Sequence, residues 1–159
     1  MNHYDPLKAG NIDGSSIHVH DKAVIRAIKS KYKPSWKKGN PEKTLFVGRL
    51  ESITSESVVK NFFNKYGKVK MCRLICDPVT GVSRRYAFVE FYSRSDAKFA
   101  FKKANKEQID GKAILVEFEK ERVVKGWKPR RLGGGLGGDK RSGQLRFGGR
   151  ERPFKNVSK

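Results

Sequence analysis

The run Arg84-Arg85-Tyr86-Ala87-Phe88-Val89-Glu90-Phe91 constrains the fold more than any other part of the chain. In a strand, successive side chains point to opposite faces. Ala87, Val89 and Phe91 then line one face, and Tyr86, Phe88 and Glu90 the other. The first set suits a core. The second leaves two aromatic rings on a solvent face, and Phe46 on a neighbouring strand adds a third. Exposed rings in a cluster mark a binding surface rather than ordinary surface. The expectation is a one-sided sheet, with helices on one face and a stacking platform on the other. The alternative, that all three rings are core, conflicts with the alternation.

The flanking patterns supply the remaining elements. Thr44 to Arg49 is a short β-rich run. Ser55 is placed to cap a helix whose Val59, Phe62, Phe63 and Tyr66 fall at i, i+3, i+4 and i+7. Val69 to Cys76 is a second strand, and Asp77-Pro78-Val79-Thr80-Gly81 carries turn chemistry. Ser93, with Asp96 three residues on, opens a second helix with the buried stripe Ala97, Ala100, Phe101 and Ala104. Asp110-Gly111 turns into a last strand, Ala113 to Phe118. The order βαββαβ predicts an α+β, ferredoxin-like sandwich: a four-stranded antiparallel sheet with both helices on one face.

Charge points to the partner. The chain has 36 Lys and Arg against 16 Asp and Glu among 159 residues, a net +20. The excess is spread over three zones: 1–42, a basic N-terminal extension; 43–120, the sheet domain; and 121–159, a basic Gly/Arg-rich extension. A polyanion is the natural ligand, because Lys and Arg displace counterions condensed on phosphates. Charge alone leaves RNA, DNA and anionic membrane open. No stretch approaches the roughly 18 apolar residues of a membrane span, and the first ten residues lack the basic start and apolar run of a signal peptide. A soluble intracellular protein is expected, with no membrane partner and no small-molecule substrate.

Cys72 and Cys76 share one predicted strand, which places their Cα atoms about 13 Å apart. A disulfide needs less than about 7 Å, so both are expected to stay reduced. With His3, His18 and His20 they form no zinc pattern, and no metal or other cofactor is expected. Asp77, Glu90 and the histidines make no acid–base or nucleophile constellation, so an enzyme is not expected.

The two extensions differ. Asp21 is placed to cap a helix from Lys22 to Lys33, with Val24, Ile25, Ile28 and Tyr32 on one face. That helix either covers part of the domain or docks another protein. Nine of the 16 glycines lie within Gly126 to Gly149. Such a stretch buries too little apolar surface to offset its ordering entropy, so alone it is expected to be disordered. Its Trp127 can anchor by stacking or by packing. Lys125, Lys128, Arg130 and Arg131 can reach phosphates, and glycines admit a phosphate close to the backbone N–H groups. A flexible tether is the competing reading for Gly133 to Gly138.

Leu45-Phe46-Val47-Gly48-Arg49-Leu50 and Arg84-Arg85-Tyr86-Ala87-Phe88-Val89-Glu90-Phe91, about 40 residues apart, resemble the two signatures of the RNA recognition motif family. The resemblance implies that Phe46, Tyr86 and Phe88 stack on bases of a single-stranded loop. Two positions depart from the usual pattern: Arg85 stands where glycine is usual, and Arg49 where asparagine is usual. Both add positive charge beside the platform, as do Arg84 and, if it faces the same way, Arg73. The competing reading of each basic residue is solvated surface.

The segment Glu121-Arg122-Val123-Val124-Lys125-Gly126-Trp127-Lys128-Pro129-Arg130-Arg131-Leu132-Gly133-Gly134-Gly135-Leu136-Gly137-Gly138 resembles an extension found in two snRNP families. These are the seventy-kilodalton family of the major spliceosome and the thirty-five-kilodalton family of the minor-spliceosome U11/U12 snRNP. Tyr4-Asp5-Pro6-Leu7-Lys8-Ala9-Gly10, Ile12-Asp13-Gly14, Ser142 to Arg150 and Arg152-Pro153-Phe154 look like the minor-spliceosome family. The resemblance implies a nuclear, non-catalytic subunit that binds U11 small nuclear RNA beside other snRNP proteins and supports five-prime splice-site recognition. The alternative is a protein-interaction module with little direct RNA binding. Isolated pairs such as Ser83-Arg84 and Arg94-Ser95 do not amount to an Arg/Ser domain.

Overall fold

The computed structural model describes residues 3–9, 18–19, 22–34 and 37–135. The elements run α1 (Pro6–Ala9), α2 (Lys22–Lys29), a 3-10 turn (Pro41–Lys43), β1 (Thr44–Gly48), α3 (Glu56–Asn64), β2 (Val69–Cys76) and β3 (Ser83–Phe91). They continue with α4 (Arg94–Ala104), β4 (Gln108–Ile109), β5 (Lys112–Ala113), β6 (Leu115–Phe118) and a second 3-10 turn (Arg130–Leu132). The chain divides into two compact units: residues 36–119, and residues 1–35 together with residues 120–159.

The first unit is the expected sandwich. Its sheet has the order β2-β3-β1-β6, and each neighbouring pair is antiparallel. Leu45, Val47, Ala87, Val89, Phe91 and Val116 are buried on one sheet face, against Val59 and Phe63 of α3 and Ala97, Ala100 and Ala104 of α4. The alanine stripe lets α4 lie close to the sheet, while half-buried Phe101 packs on Phe118 at 4.9 Å. Ser55 Oγ accepts the Val58 N–H, the expected cap of α3. At α4 the Ser93 hydroxyl instead takes the Ser95 N–H, one residue earlier than a capping box requires.

The last strand also departs from expectation. Asp110 and Gly111, at φ 51° and 78°, form the tight turn of a separate β4–β5 hairpin. Only Leu115–Phe118 then joins the main sheet. Two consecutive left-handed residues favour the hairpin turn. Both cysteines are free, as expected.

The second unit joins the two ends of the chain. The Tyr4 N–H donates to the Lys125 carbonyl at 2.7 Å, and its hydroxyl donates to the Gly135 carbonyl. Tyr4 is buried beside Val124, with the Trp127 ring edge-on at 5.0 Å. Lys128 Nζ donates to the Ser30 carbonyl, and the Tyr32 hydroxyl to the Glu121 carboxylate. α2 is shorter than predicted, and its buried face is Ala23, Val24 and Ala27 rather than Val24, Ile25 and Ile28. Small side chains face inward there because backbone packs against them. Gly133, at φ +84°, lies so close to the Ala23 carbonyl that a Cβ would stand 2.1 Å from its oxygen.

The expectation of a disordered glycine stretch is therefore corrected for residues 126–135. The N–H groups of Gly133, Gly134 and Gly135 donate to the carbonyls of Arg130, Pro129 and Lys128. They are spent on the fold, not left open for phosphates. Asp21, Gly10, Ile12 to Gly14, and everything from Leu136 onward lie outside the described residues.

Candidate nucleic-acid interface

Strand register decides which side chains meet on the face away from the helices. Phe46 lies opposite Phe88 across β1 and β3. Phe88 lies opposite Arg73 on β2, and Phe46 opposite Glu117 on β6. One row therefore crosses all four strands: Arg73, Phe88, Phe46, Glu117. Tyr86, two residues before Phe88, stands on the same face. Its ring lies 5.6 Å from Phe46 and 6.1 Å from Phe88, while Phe46 and Phe88 are 5.8 Å apart. The three expected aromatics form one cluster.

Two expectations about this face need correction. Phe88 was expected to stand in solvent but is only 5% exposed. It is the buried member of the triangle, with Phe46 and Tyr86 each edge-on to it. Half-buried Phe46 and Tyr86 are the rings a base can reach. Glu90 was also expected in solvent but is 2% exposed. Its Oε1 accepts the Asn40 N–H at 2.9 Å and pairs with Lys70 Nζ at 3.5 Å. Its Oε2 abuts Gly39, whose missing Cβ leaves the space. The stretch before β1 thus closes one end of the platform. Alternation along β3 cannot reveal a cover contributed from elsewhere in the chain.

The basic residues fall into separate places. Arg73 is exposed in the aromatic row. Arg49 and Arg85 are exposed at the other end, with left-handed φ of 60° and 64°. The Leu50 N–H donates to the Arg85 carbonyl at 3.0 Å, tying the two junctions together. A left-handed backbone suits glycine better than arginine. Arg84 is drawn to the Asp77 carboxylate at 3.8 Å. That carboxyl is held below the usual range, chiefly by the backbone N–H groups of Thr80 and Val79. Glu117 was not among the expected site residues. The signal was available: Val116 in the core puts its neighbours on the platform face.

Lys125, Trp127, Lys128, Arg130 and Arg131 belong to the other unit. Lys125 and Arg131 are exposed, and the Arg131 guanidinium lies over the Tyr32 ring at 5.4 Å. Trp127, half-buried against Tyr4, serves as an anchor by packing. Lys128 is occupied by the Ser30 carbonyl, and Arg130 is half-buried. Among the described residues no cluster of His, Cys, Asp or Glu could hold a metal. No described helix is long and apolar enough to cross a membrane.

Residues 45–115 match the model of the RNA recognition motif. The chain is 51% identical over 153 residues to the U11/U12 small nuclear ribonucleoprotein 35 kDa protein of Danio rerio, covering 96% of this chain and 74% of that protein. It is 51% identical to the Homo sapiens protein of the same name, over 96% of this chain and 62% of that protein. The U1 small nuclear ribonucleoprotein 70 kDa of Arabidopsis thaliana is 44% identical over 120 residues, 76% of this chain and 28% of that protein. Identity and coverage both favour the first group. With its RNA recognition motif and the segments on either side all matched, the chain belongs to the family of the U11/U12 small nuclear ribonucleoprotein 35 kDa protein.

Proposed function

We propose that this chain is an RNA-binding subunit of the minor-spliceosome snRNP, where it binds a stem-loop of U11 small nuclear RNA. In that role it acts in the nucleus, beside other snRNP proteins, and supports five-prime splice-site recognition in pre-mRNA splicing. The observation that carries this reading is the row Arg73, Phe88, Phe46 with Tyr86 beside it. Half-buried rings offer π-faces to bases, and base–aromatic stacking is worth roughly 1–3 kcal/mol per base. Arg73, Arg49 and Arg85 surround those rings with cations that can meet the loop's phosphates, and Arg84 adds to the field.

The second unit contributes affinity rather than base selection. It holds 19 basic and six acidic residues, a net +13 of the chain's +20. Lys125 and Arg131 are its best-placed phosphate contacts, and Lys128 and Arg130 reinforce them. Trp127 holds their segment in shape. The role is one of binding, with no reaction assigned to it.

Crosslinking in cells followed by sequencing of the bound RNA tests this reading. Enrichment of U11 RNA, lost in a Phe46→Ala/Tyr86→Ala variant that remains folded, is the expected result. Recovery of mostly messenger RNA, with no small nuclear RNA enriched, would sink the assignment.

A further inference from the structure

Helix α2 turns its larger apolar side chains outward. Ile25 is 41% and Ile28 53% exposed, whereas Ala23 and Ala27 are 4% and 0%. Close packing of Gly133 accounts for Ala23; nothing among the described residues of the unit accounts for the isoleucines. At 3.6 residues per turn, Ile25 and Ile28 make one strip and Lys22, Arg26 and Lys29 an adjacent strip, about 100° around the helix. Lys22, Arg26 and Lys29 are exposed. They have no ion-pair partner among the described residues. An apolar strip thus lies alongside an uncompensated cationic one.

We propose that this face of α2 docks an acidic, amphipathic segment of a protein partner. The occupant follows from charge and apolarity together. Residues 136–159 of the chain carry seven basic and two acidic residues, so the cationic strip repels them. A second copy brings +20 of like charge. An RNA backbone would satisfy the lysines and arginine but leave both isoleucines in water. A membrane would gain only two side chains, because the opposite face of α2 is already buried. A helix or extended segment with apolar residues at i and i+3 or i+4, flanked by Asp or Glu, covers both strips at once.

The test uses the full chain in cells, with the photocrosslinker benzoylphenylalanine replacing Ile28. The expected product joins position 28 to a net-acidic protein segment bearing apolar residues at helical spacing. That segment, synthesised as a peptide, is then titrated against the purified full chain. Ile25→Asp/Ile28→Asp should raise its Kd at least tenfold, as should Lys22→Glu/Arg26→Glu/Lys29→Glu, and raised salt should weaken binding. The two variants fail differently, so a folding defect in one leaves the other informative. Crosslinks to RNA, to this chain, to a basic segment, or to nothing above background would overturn the proposal. So would peptide binding indifferent to both variants. This docking face is independent of the aromatic platform. The isoleucine variant should therefore keep wild-type affinity for the U11 stem-loop, and Phe46→Ala/Tyr86→Ala should keep wild-type affinity for the peptide.

Discussion

Phe46 and Phe88 face each other directly across β1 and β3, ring centroids 5.8 Å apart and inclined at 63°. Yet Phe46 is half-buried and Phe88 is only 5% exposed. In the proposed platform, two residues that look equivalent in strand alternation therefore take different parts, Phe46 for ligand contact and Phe88 for support.

That division predicts different costs. Phe46→Ala should cost less stability than Phe88→Ala but weaken loop binding by roughly 1–3 kcal/mol, the worth of one stacked base. Phe88→Ala should lose both, with about 2–4 kcal/mol of stability from the vacated volume beneath its neighbours. Chemical denaturation and RNA titration of each variant separate the two. Equal stability losses would place both rings in the same role.

Arg85 sits in a left-handed conformation at φ 64°. The left-handed region costs a side-chain-bearing residue roughly 1–2 kcal/mol, partly offset by the greater entropy that glycine loses on folding. Arg85→Gly should therefore stabilise the first unit by about 0.5–1 kcal/mol. It should also reduce RNA affinity and flatten its salt dependence, as one cation leaves the platform edge. A thermal melt and a salt titration check the two signs.

Gly39→Ala tests the cover over Glu90. An added Cβ would stand 2.1 Å from Glu90 Oε2, and φ is +78°. The variant should lose about 1–3 kcal/mol of stability and free the segment before β1, seen as faster amide exchange at Asn40. Unchanged exchange there would mean that the carboxylate does not hold this segment.

The cysteines should differ in reactivity. Burial first, and then the Glu56 carboxylate, push the Cys72 thiol up to about 12, whereas Cys76 is exposed. At pH 8 a maleimide should label Cys76 and spare Cys72, because the thiolate is the reactive form. A raised folded-state pKa stabilises below the unfolded thiol's pKa. That contribution should fade as pH rises from the unfolded value toward about 12.

The joined ends can be probed through Trp127. In a Trp36→Phe background, Gly133→Ala should push the turn off the Ala23 carbonyl and shift Trp127 emission to the red as its contact with Tyr4 loosens. Removing residues 1–35 should do the same. Unshifted emission in both would mean that Trp127 does not depend on the N-terminal segment.

Local periodicity determined a large part of this molecule. Alternation in Tyr86 to Phe91 announced a sheet with one core face. The i, i+3, i+4 spacing of Val59, Phe62 and Phe63, and the alanine stripe of α4, announced the helices that cover it. Both signals live within a few residues of chain, because side-chain direction repeats with backbone geometry. The candidate platform was legible for the same reason, but the register that puts Arg73 beside Phe88 was not, because β2 shifts register twice along β3.

Tertiary structure decided what depends on distant neighbours. Whether Phe88 and Glu90 meet water rests on which groups flank them, and Asn40 reaches Glu90 from 50 residues away. Tyr4 meets Gly135 across 131 residues, so composition near Gly133 read as a tether when it serves as a packing surface. Glycine lowers local order in an isolated chain, yet the same missing Cβ admits another backbone at close range. No local pattern in either segment distinguishes these outcomes. Only the presence of Ala23 and Tyr4 beside the glycines turns a disorder-prone sequence into an ordered one.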